Sequence, residues 1–168
     1  MRRHITSEQT YAFIQRLREE VLGIHIRTTL MVGHPGEDDV AFQQLLDFTR
    51  WARFERMGAF AYSEEAGTYA AEHYSDDIPD DVKQARLQEI MDLQEGIALE
   101  QQEAKVGQRL RVLIDSDDGE YYVGRTQWDS PEVDPEVLVR KTRQLTVGEF
   151  YDVDIEEAMP FELIGTAK

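Results

Sequence analysis

The chain has 168 residues and a net charge of −16, with 41% hydrophobic and 31% charged residues. This balance is typical of a folded domain with a charged surface, and no apolar run approaches the roughly 20 residues that span a bilayer. The start, Met-Arg-Arg-His, leads into a polar segment, so we predict a cytoplasmic protein with no membrane partner. Cysteine is absent, which excludes disulfides, thiolate nucleophiles and cysteine-bound clusters from this chain, and the four histidines lack a metal-ligand spacing.

Helix and strand signals alternate in the first half of the chain. Apolar residues at helical spacing predict a helix that begins near Ser7 and ends at Gly23. A buried strand over residues 24–32, a second helix over 38–53 and a second strand over 57–62 follow. The short connections indicate parallel strands with crossover helices. Two such repeats do not close a sheet, so we predict the C-terminal part of a larger α/β barrel.

A long helix and a set of short strands are predicted in the second half. The helix opens at Pro79, runs to about residue 103 and contains Gly96 as a weak point. Strand patterns then occupy residues 109–115, 121–127, 137–139, 150–155 and 161–164, with a hairpin turn at residues 117–119. We predict a small five-stranded antiparallel barrel of the oligonucleotide-binding type. The domain boundary is placed between residues 105 and 106.

Several segments resemble, in order, a single enzyme family. Residues 26–37 read Ile-Arg-Thr-Thr-Leu-Met-Val-Gly-His-Pro-Gly-Glu, and residues 60–63 read Phe-Ala-Tyr-Ser. Together with the later glycines Gly107, Gly124 and Gly165, they resemble the methylthiotransferase family of radical S-adenosylmethionine enzymes, whose C-terminal barrel is called TRAM. Residues 124–134, Gly-Arg-Thr-Gln-Trp-Asp-Ser-Pro-Glu-Val-Asp, are similar to the branch that acts on a ribosomal protein. Ser130 and Val133 stand where that branch usually has alanine and isoleucine.

The resemblance implies a fold and a reaction for the intact enzyme. The fold is the C-terminal part of a radical-SAM α/β (TIM-like) barrel, followed by the TRAM domain. The reaction adds a methylthio group to the β-carbon of an aspartate in small-subunit ribosomal protein twelve, with S-adenosylmethionine and two 4Fe-4S clusters as cofactors. Both cysteine sets are missing here. The resemblance therefore implies a C-terminal fragment that is inactive alone and binds none of these cofactors stably.

The loop after the first strand is the candidate cofactor-binding segment. Ligands bind at the carboxyl ends of strands in α/β folds, and glycine lets a backbone approach them closely. The resemblance implies that the adenosyl part of the cofactor lies near Val32, Gly33, Pro35, Gly36 and Phe60, with Val32 and Phe60 as apolar walls. The alternative is that the glycines only turn the chain. We assign no residue a catalytic role.

The charge of the C-terminal barrel indicates its kind of partner. Residues 107–168 contain seven basic and fourteen acidic side chains, a net charge of −7. A barrel that binds RNA needs a basic face, because phosphate contacts supply most of the affinity. This barrel repels RNA and attracts a basic protein. We therefore predict a basic small-subunit ribosomal protein as substrate, and no nucleic-acid partner; the run at residues 140–143 is interpreted as a solvated basic loop.

Four residues are the candidates for substrate binding. They are Arg125, Trp128, Glu132 and Asp134. Arginine and aromatic side chains often anchor interfaces, with Tyr121 and Tyr122 as further contacts. The alternative is that the aromatic rings fill the barrel core. Strand alternation places Tyr121 and Tyr122 on opposite faces, so at most one of them is expected to be buried in a regular strand.

Two other functions remain open from the sequence. One is the same chemistry on an adenosine of transfer RNA, which the acidic barrel disfavours. The other is a non-catalytic acidic protein-binding module built on a degenerate half barrel. An in-frame Cys-x3-Cys-x2-Cys segment encoded shortly before Met1 would exclude that module.

Overall fold

A computed structural model describes residues 4–131 and 133–168, and it divides into two compact units. The first is Met1–Gln94 and the second is Glu95–Lys168, so the division falls inside one long helix. None of the helices in the described ranges is long and apolar enough to cross a membrane.

The first unit alternates helices and strands, as predicted. Its elements are α1 (Ser7–Glu20), β1 (Arg27–Val32), α2 (Asp39–Ala52), β2 (Arg56–Ala61), α3 (Tyr69–His73) and the first part of α4 (Asp80–Glu103). Thr6 and Gln9 form a capping box at α1, and the Asp38 carboxylate accepts a hydrogen bond from the Ala41 N–H at 2.8 Å. These caps fix where the two helices begin. The short α3 was not predicted.

The two strands of this unit pair in parallel, with Leu30 beside Ala59 and Val32 beside Ala61. One face of the pair is covered by helices, and the fully buried Val32 packs there with apolar side chains of α2 and α4. Side chains of a strand alternate between faces, so Met31 and Phe60 lie on the opposite face. Two parallel strands with helices on one face agree with the predicted α/β class; the larger radical-SAM barrel stays a prediction.

The second unit is a closed five-stranded barrel. Its strands are β3 (Arg109–Asp117), β4 (Tyr121–Arg125), β5 (Glu136–Arg140), β6 (Phe150–Met159) and β7 (Glu162–Ala167), in the order β3-β4-β5-β7-β6. The core is aliphatic and includes Val112, Ile114 and Val153. Tyr122 is buried and Tyr121 is half-buried, as the alternation predicted. The five strands and the barrel are therefore confirmed.

The prediction that all strands are antiparallel is wrong. Four pairings are antiparallel, but β5 and β7 run parallel, with Val137 beside Leu163. The reason is geometric: an odd number of strands cannot alternate in direction all the way around a closed ring. At least one neighbouring pair must then be parallel.

Two aspartates hold the tip of the β3–β4 hairpin. The Asp118 carboxylate accepts hydrogen bonds from the backbone N–H groups of Tyr121 at 2.7 Å and Glu120 at 2.8 Å. The Asp117 carboxylate accepts one from the Gly119 N–H at 2.8 Å. The hydrogen bonds from the Tyr121 N–H, which has the larger effect, and from the Glu120 N–H lower the pKa of the Asp118 carboxyl below its ordinary value.

We expect Asp118→Asn to destabilise the barrel at neutral pH and to matter less in acid. A carboxyl whose pKa is lowered on folding stabilises the fold above its unfolded-state pKa, and that contribution is lost as pH falls through its folded-state pKa. Urea unfolding of the full chain from about pH 7 to about pH 2.5 tests this. The exposed Asp152→Asn is the matched control. A stability difference that stays constant down to the acid end would contradict the assignment.

Candidate functional site

The loop at the carboxyl end of β1 depends on two glycines with left-handed backbones. Gly33 has φ +73° and Gly36 has φ +83°. A Cβ atom on Gly33 would overlap the Lys83 side chain, whereas the space at the Cβ position of Gly36 is open. The Gly33 N–H donates to Glu37 Oε1 at 2.9 Å, and the Gly36 N–H donates to Asp77 Oδ1 at 3.2 Å. Gly33 thus makes room for Lys83, and only Gly36 leaves an open surface.

Arg86 of α4 fixes the other end of this loop. Its guanidinium is buried and donates to the Glu37 backbone oxygen and to Glu37 Oε1, both at 2.9 Å. A further bond reaches Asp39 Oδ1 at 2.7 Å, at the start of α2. One carboxylate, that of Glu37, therefore links the loop backbone at Gly33 to Arg86. We call this set Gly33, Glu37 and Arg86 the loop clamp.

Aromatic rings gather beside the loop around the buried Lys83. The His34 and Tyr62 ring centroids are 5.3 Å apart, and Lys83 Nζ lies 5.6 Å from the Tyr62 centroid. Lys83 Nζ donates to Asp76 Oδ2 at 2.5 Å, and this hydrogen bond raises the pKa of Lys83 although burial opposes the shift. Burial raises the pKa of the Tyr62 phenol, whose oxygen has no hydrogen-bond partner among the described residues.

The five residues predicted to bind the cofactor do not share one surface. Val32 is fully buried in the core, and Gly33 is buried against Lys83. Phe60 is 46% exposed and lies on the opposite face of the two-stranded sheet from Val32. Pro35 is half-buried and Gly36 is exposed. Their cofactor role stays a prediction, with Gly36 and Phe60 as the two that offer an open surface.

Sequence reasoning missed Lys83 and Arg86. Both are buried on the face of α4 that also carries Ile90. Their spacing of three and four residues is the signal that could have found them, because it places all three on one side of a helix. A basic side chain on such a buried stripe requires a partner carboxylate, which Asp76 and Glu37 supply.

The residues predicted to bind substrate serve the barrel in different ways. Arg125 Nη1 donates to Asp115 Oδ1 at 2.7 Å across the β3–β4 hairpin. Asp134 Oδ2 accepts a hydrogen bond from the Ser130 N–H at 2.7 Å, which closes the loop between β4 and β5. Trp128 is half-buried and packs against the barrel core, and its ring centroid lies 5.7 Å from Lys105 Nζ. Glu132 lies outside the described residues.

A groove on the outer face of the barrel brings Arg125 together with residues that the sequence did not single out. It has a volume of about 430 Å³, and its lining residues are Arg111, Leu113, Arg125, Thr126, Gln127, Asp129 and Phe150. Strand register places Leu113 beside both Phe150 and Arg125. The Arg111 guanidinium carbon lies 4.6 Å from the Phe150 ring centroid. Of the three predicted substrate residues that the structure describes, only Arg125 lines this groove, which we call the Arg111 groove.

No metal-binding cluster occurs in the part of the chain that the structure describes: no three His, Cys, Asp or Glu side chains come together in a way that holds an ion. The full sequence has no cysteine.

The barrel assigns the second unit to a known class of domain. Residues 106–167 match the TRAM domain family. The whole chain also resembles curated proteins named ribosomal protein uS12 methylthiotransferase RimO. That of Bacteroides thetaiotaomicron is 58% identical over 164 residues, which are 97% of this chain and 38% of the relative.

Other relatives with the same name are more distant in sequence. The protein of Porphyromonas gingivalis is 55% identical over 97% of this chain and 38% of the relative. That of Christiangramia forsetii is 45% identical over 98% of this chain and 37% of the relative. The chain is therefore similar to proteins of this name over nearly its whole length, and it spans 38% of the length of the first of these relatives.

Proposed function

We propose that this chain supplies the C-terminal part of a methylthiotransferase that modifies ribosomal protein uS12. The observation that carries the proposal is the 58% identity, over 97% of the chain, to a protein with that activity in its name. In this proposal the α/β unit contributes two strands of a radical-SAM barrel, and the TRAM barrel contacts the substrate protein. The modified residue is proposed to be an aspartate.

The cofactors fit this chain to different degrees. Iron–sulfur clusters do not fit it, because the chain has no cysteine to ligate them. Of the residues proposed to contact S-adenosylmethionine, which supplies the radical and the methyl group in the proposed reaction, Gly36 and Phe60 have open surfaces that a ligand could contact. Gly36 offers an open backbone with φ +83°, and Phe60 offers an exposed ring. The loop clamp holds the loop through Gly33 and Glu37, and its hydrogen bonds involve neither Gly36 nor Phe60.

The charges of the barrel support a basic protein as the partner. Most basic side chains of residues 107–168 are already paired with carboxylates: Arg109 with Asp154, Arg125 with Asp115, Arg140 with Glu156 and Lys141 with Asp117. The seven basic residues are outnumbered by fourteen acidic ones. Few cations are therefore left for phosphates, and the excess of acidic side chains favours a cationic surface.

We expect the full chain to bind purified uS12 in a salt-sensitive way and not to bind transfer RNA. Attraction between an acidic barrel and a basic protein weakens as ionic strength rises, since screening shortens the range of exposed charges. Fluorescence anisotropy of labelled uS12 and of labelled transfer RNA across a salt series measures both.

Binding to transfer RNA alone would overturn the substrate assignment and favour the branch that acts on adenosine. Binding to neither ligand would overturn the role given to the TRAM barrel. A basic protein of similar size and charge is the specificity control. Equal affinity for that protein would show that binding depends on net charge alone.

A further inference from the structure

Arg111 differs from the other cations of the barrel. Within residues 107–131 and 133–168 it is the one basic side chain with no hydrogen bond or ion pair to another described residue. Arg143, by contrast, donates to the Lys168 backbone oxygen. Arg111 is exposed, its guanidinium carbon lies over the Phe150 ring, and Asp152 is its register partner on β6. A cation–π contact occupies none of the guanidinium N–H groups with a hydrogen-bond acceptor, so they stay available to a carboxylate.

The surroundings of Arg111 form a site with both polar and apolar contacts. Phe150 is 54% exposed and lies in register with Leu113 on the outer face of the barrel. Gln127 and Arg125 line the same groove of about 430 Å³. Arg125 is engaged with Asp115, whereas Arg111 is free to move its edge toward a ligand. A planar anionic group beside an apolar one matches these contacts.

The charge around the groove selects among anionic ligands. A nucleic acid brings a row of phosphates, which the barrel charge of −7 repels. The ligand must therefore supply an anionic group to Arg111 and still be attracted to an acidic barrel. A single carboxylate on an otherwise basic protein does both, because its basic neighbours are attracted to the barrel while the carboxylate pairs with Arg111. We propose that the Arg111 groove receives one aspartate or glutamate side chain of a basic protein partner, with Phe150 packing against the adjoining apolar atoms. This proposal rests on the proposed function and names how uS12 is held.

The test compares two arginines on the same strand and the same face. Arg111→Ala and Arg109→Ala each remove one positive charge from β3, but Arg109 is already paired with Asp154. We expect Arg111→Ala to raise the Kd of the full chain for uS12 about tenfold, the usual effect of losing a charge-assisted hydrogen bond. Arg109→Ala should leave the Kd unchanged or lower it, because it makes the barrel more acidic. Circular dichroism of both variants checks that the barrel is folded.

A second comparison identifies the group that Arg111 holds. Carbodiimide amidation of uS12 removes its carboxylates and makes it more basic, so a purely electrostatic interaction should tighten. In our proposal the difference between the unaltered chain and Arg111→Ala should disappear with amidated uS12, as in a double-mutant cycle.

Several outcomes would overturn the proposal separately from the proposed function. If uS12 binds and Arg111→Ala has no effect, the groove proposal is wrong and the function stands. The groove proposal is also wrong if the tenfold effect persists with amidated uS12, or if Arg111→Ala weakens binding of an RNA oligonucleotide instead. No binding of uS12 by the unaltered chain overturns both.

Discussion

Replacing Arg86 by methionine is expected to lower the free energy of unfolding of the first unit by about 3–5 kcal/mol, because it leaves a buried carboxylate without its partner. The Glu37 side chain is 12% exposed and the Arg86 side chain 8% exposed. Glu37 then keeps the hydrogen bond from the Gly33 N–H but loses the guanidinium that neutralises it. Methionine fills a similar volume, so the cost arises from charge and hydrogen bonding more than from packing.

Urea unfolding followed by tryptophan fluorescence measures this effect. Of the two tryptophans, Trp51 lies in the first unit and Trp128 in the second, so the Trp128→Phe background reports on the first unit alone. Arg50→Met is the matched control, because Arg50 forms an exposed ion pair with Asp47 within α2. We expect that control to cost less than about 1 kcal/mol. Equal losses in the two variants would show that Arg86 is no more than a surface charge.

A double substitution separates the cost of the unpaired Glu37 charge from the other effects of replacing Arg86. Glu37→Gln removes the buried negative charge while keeping an oxygen that accepts the Gly33 N–H. We expect Glu37→Gln combined with Arg86→Met to be more stable than Arg86→Met alone, since the two changes act on one ion pair. A double variant whose loss equals the sum of the single losses would contradict the coupling.

The two strands and the longer helices of the first unit were readable from the sequence because their apolar residues recur at regular spacing, whereas the short α3 buries no side chain and was missed. The loop clamp was not, since Arg86 and Glu37 are 49 residues apart and nothing local marks them as partners. The same limit applies to Val32 and Phe60. Both are apolar residues near strand ends, but only the β1–β2 register shows that they lie on opposite faces.

The barrel shows a similar division between local and long-range information. Alternation predicted its strands, and the hairpin turn predicted the pairing of β3 with β4. The parallel pairing of β5 with β7 depends on ring closure, which no single segment encodes. Likewise Asp134 was chosen for its place in a motif, and its carboxylate closes a local loop. Arg111 and Phe150 meet only because β3 and β6 are neighbours.

Gly124→Ala is expected to destabilise the barrel by about 2–3 kcal/mol through overpacking. A Cβ atom at Gly124 would collide with the backbone oxygen of Leu113 and with Val112 Cγ1, and one at Gly165 would collide in the same way with Asp154 and Val153. Each glycine lies at a register shift of the facing strand, Gly124 beside Ile114 in β3 and Gly165 beside Ile155 in β6.

The position of each glycine opposite a bulge explains why the barrel tolerates no side chain at Gly124 or Gly165. Bulges bend a strand sharply, and glycine lets the neighbouring backbone approach closely at such a corner. The colliding atoms at Gly124 include a backbone oxygen, which cannot move aside as the end of a flexible side chain can. Gly124 and Gly165 are thus the corners at which this short barrel closes.

Gly96→Ala provides a control in which the same change from glycine to alanine is expected to raise stability. Gly96 lies in α4 with nothing within 4 Å of its Cβ position, so alanine should stabilise the chain by about 0.5–1 kcal/mol. In a Trp51→Phe background, Trp128 fluorescence follows unfolding of the second unit in urea. A Gly124→Ala variant as stable as the parent would mean that the β3–β4 corner relaxes without cost, and the closure of the barrel would then depend on Gly165 alone.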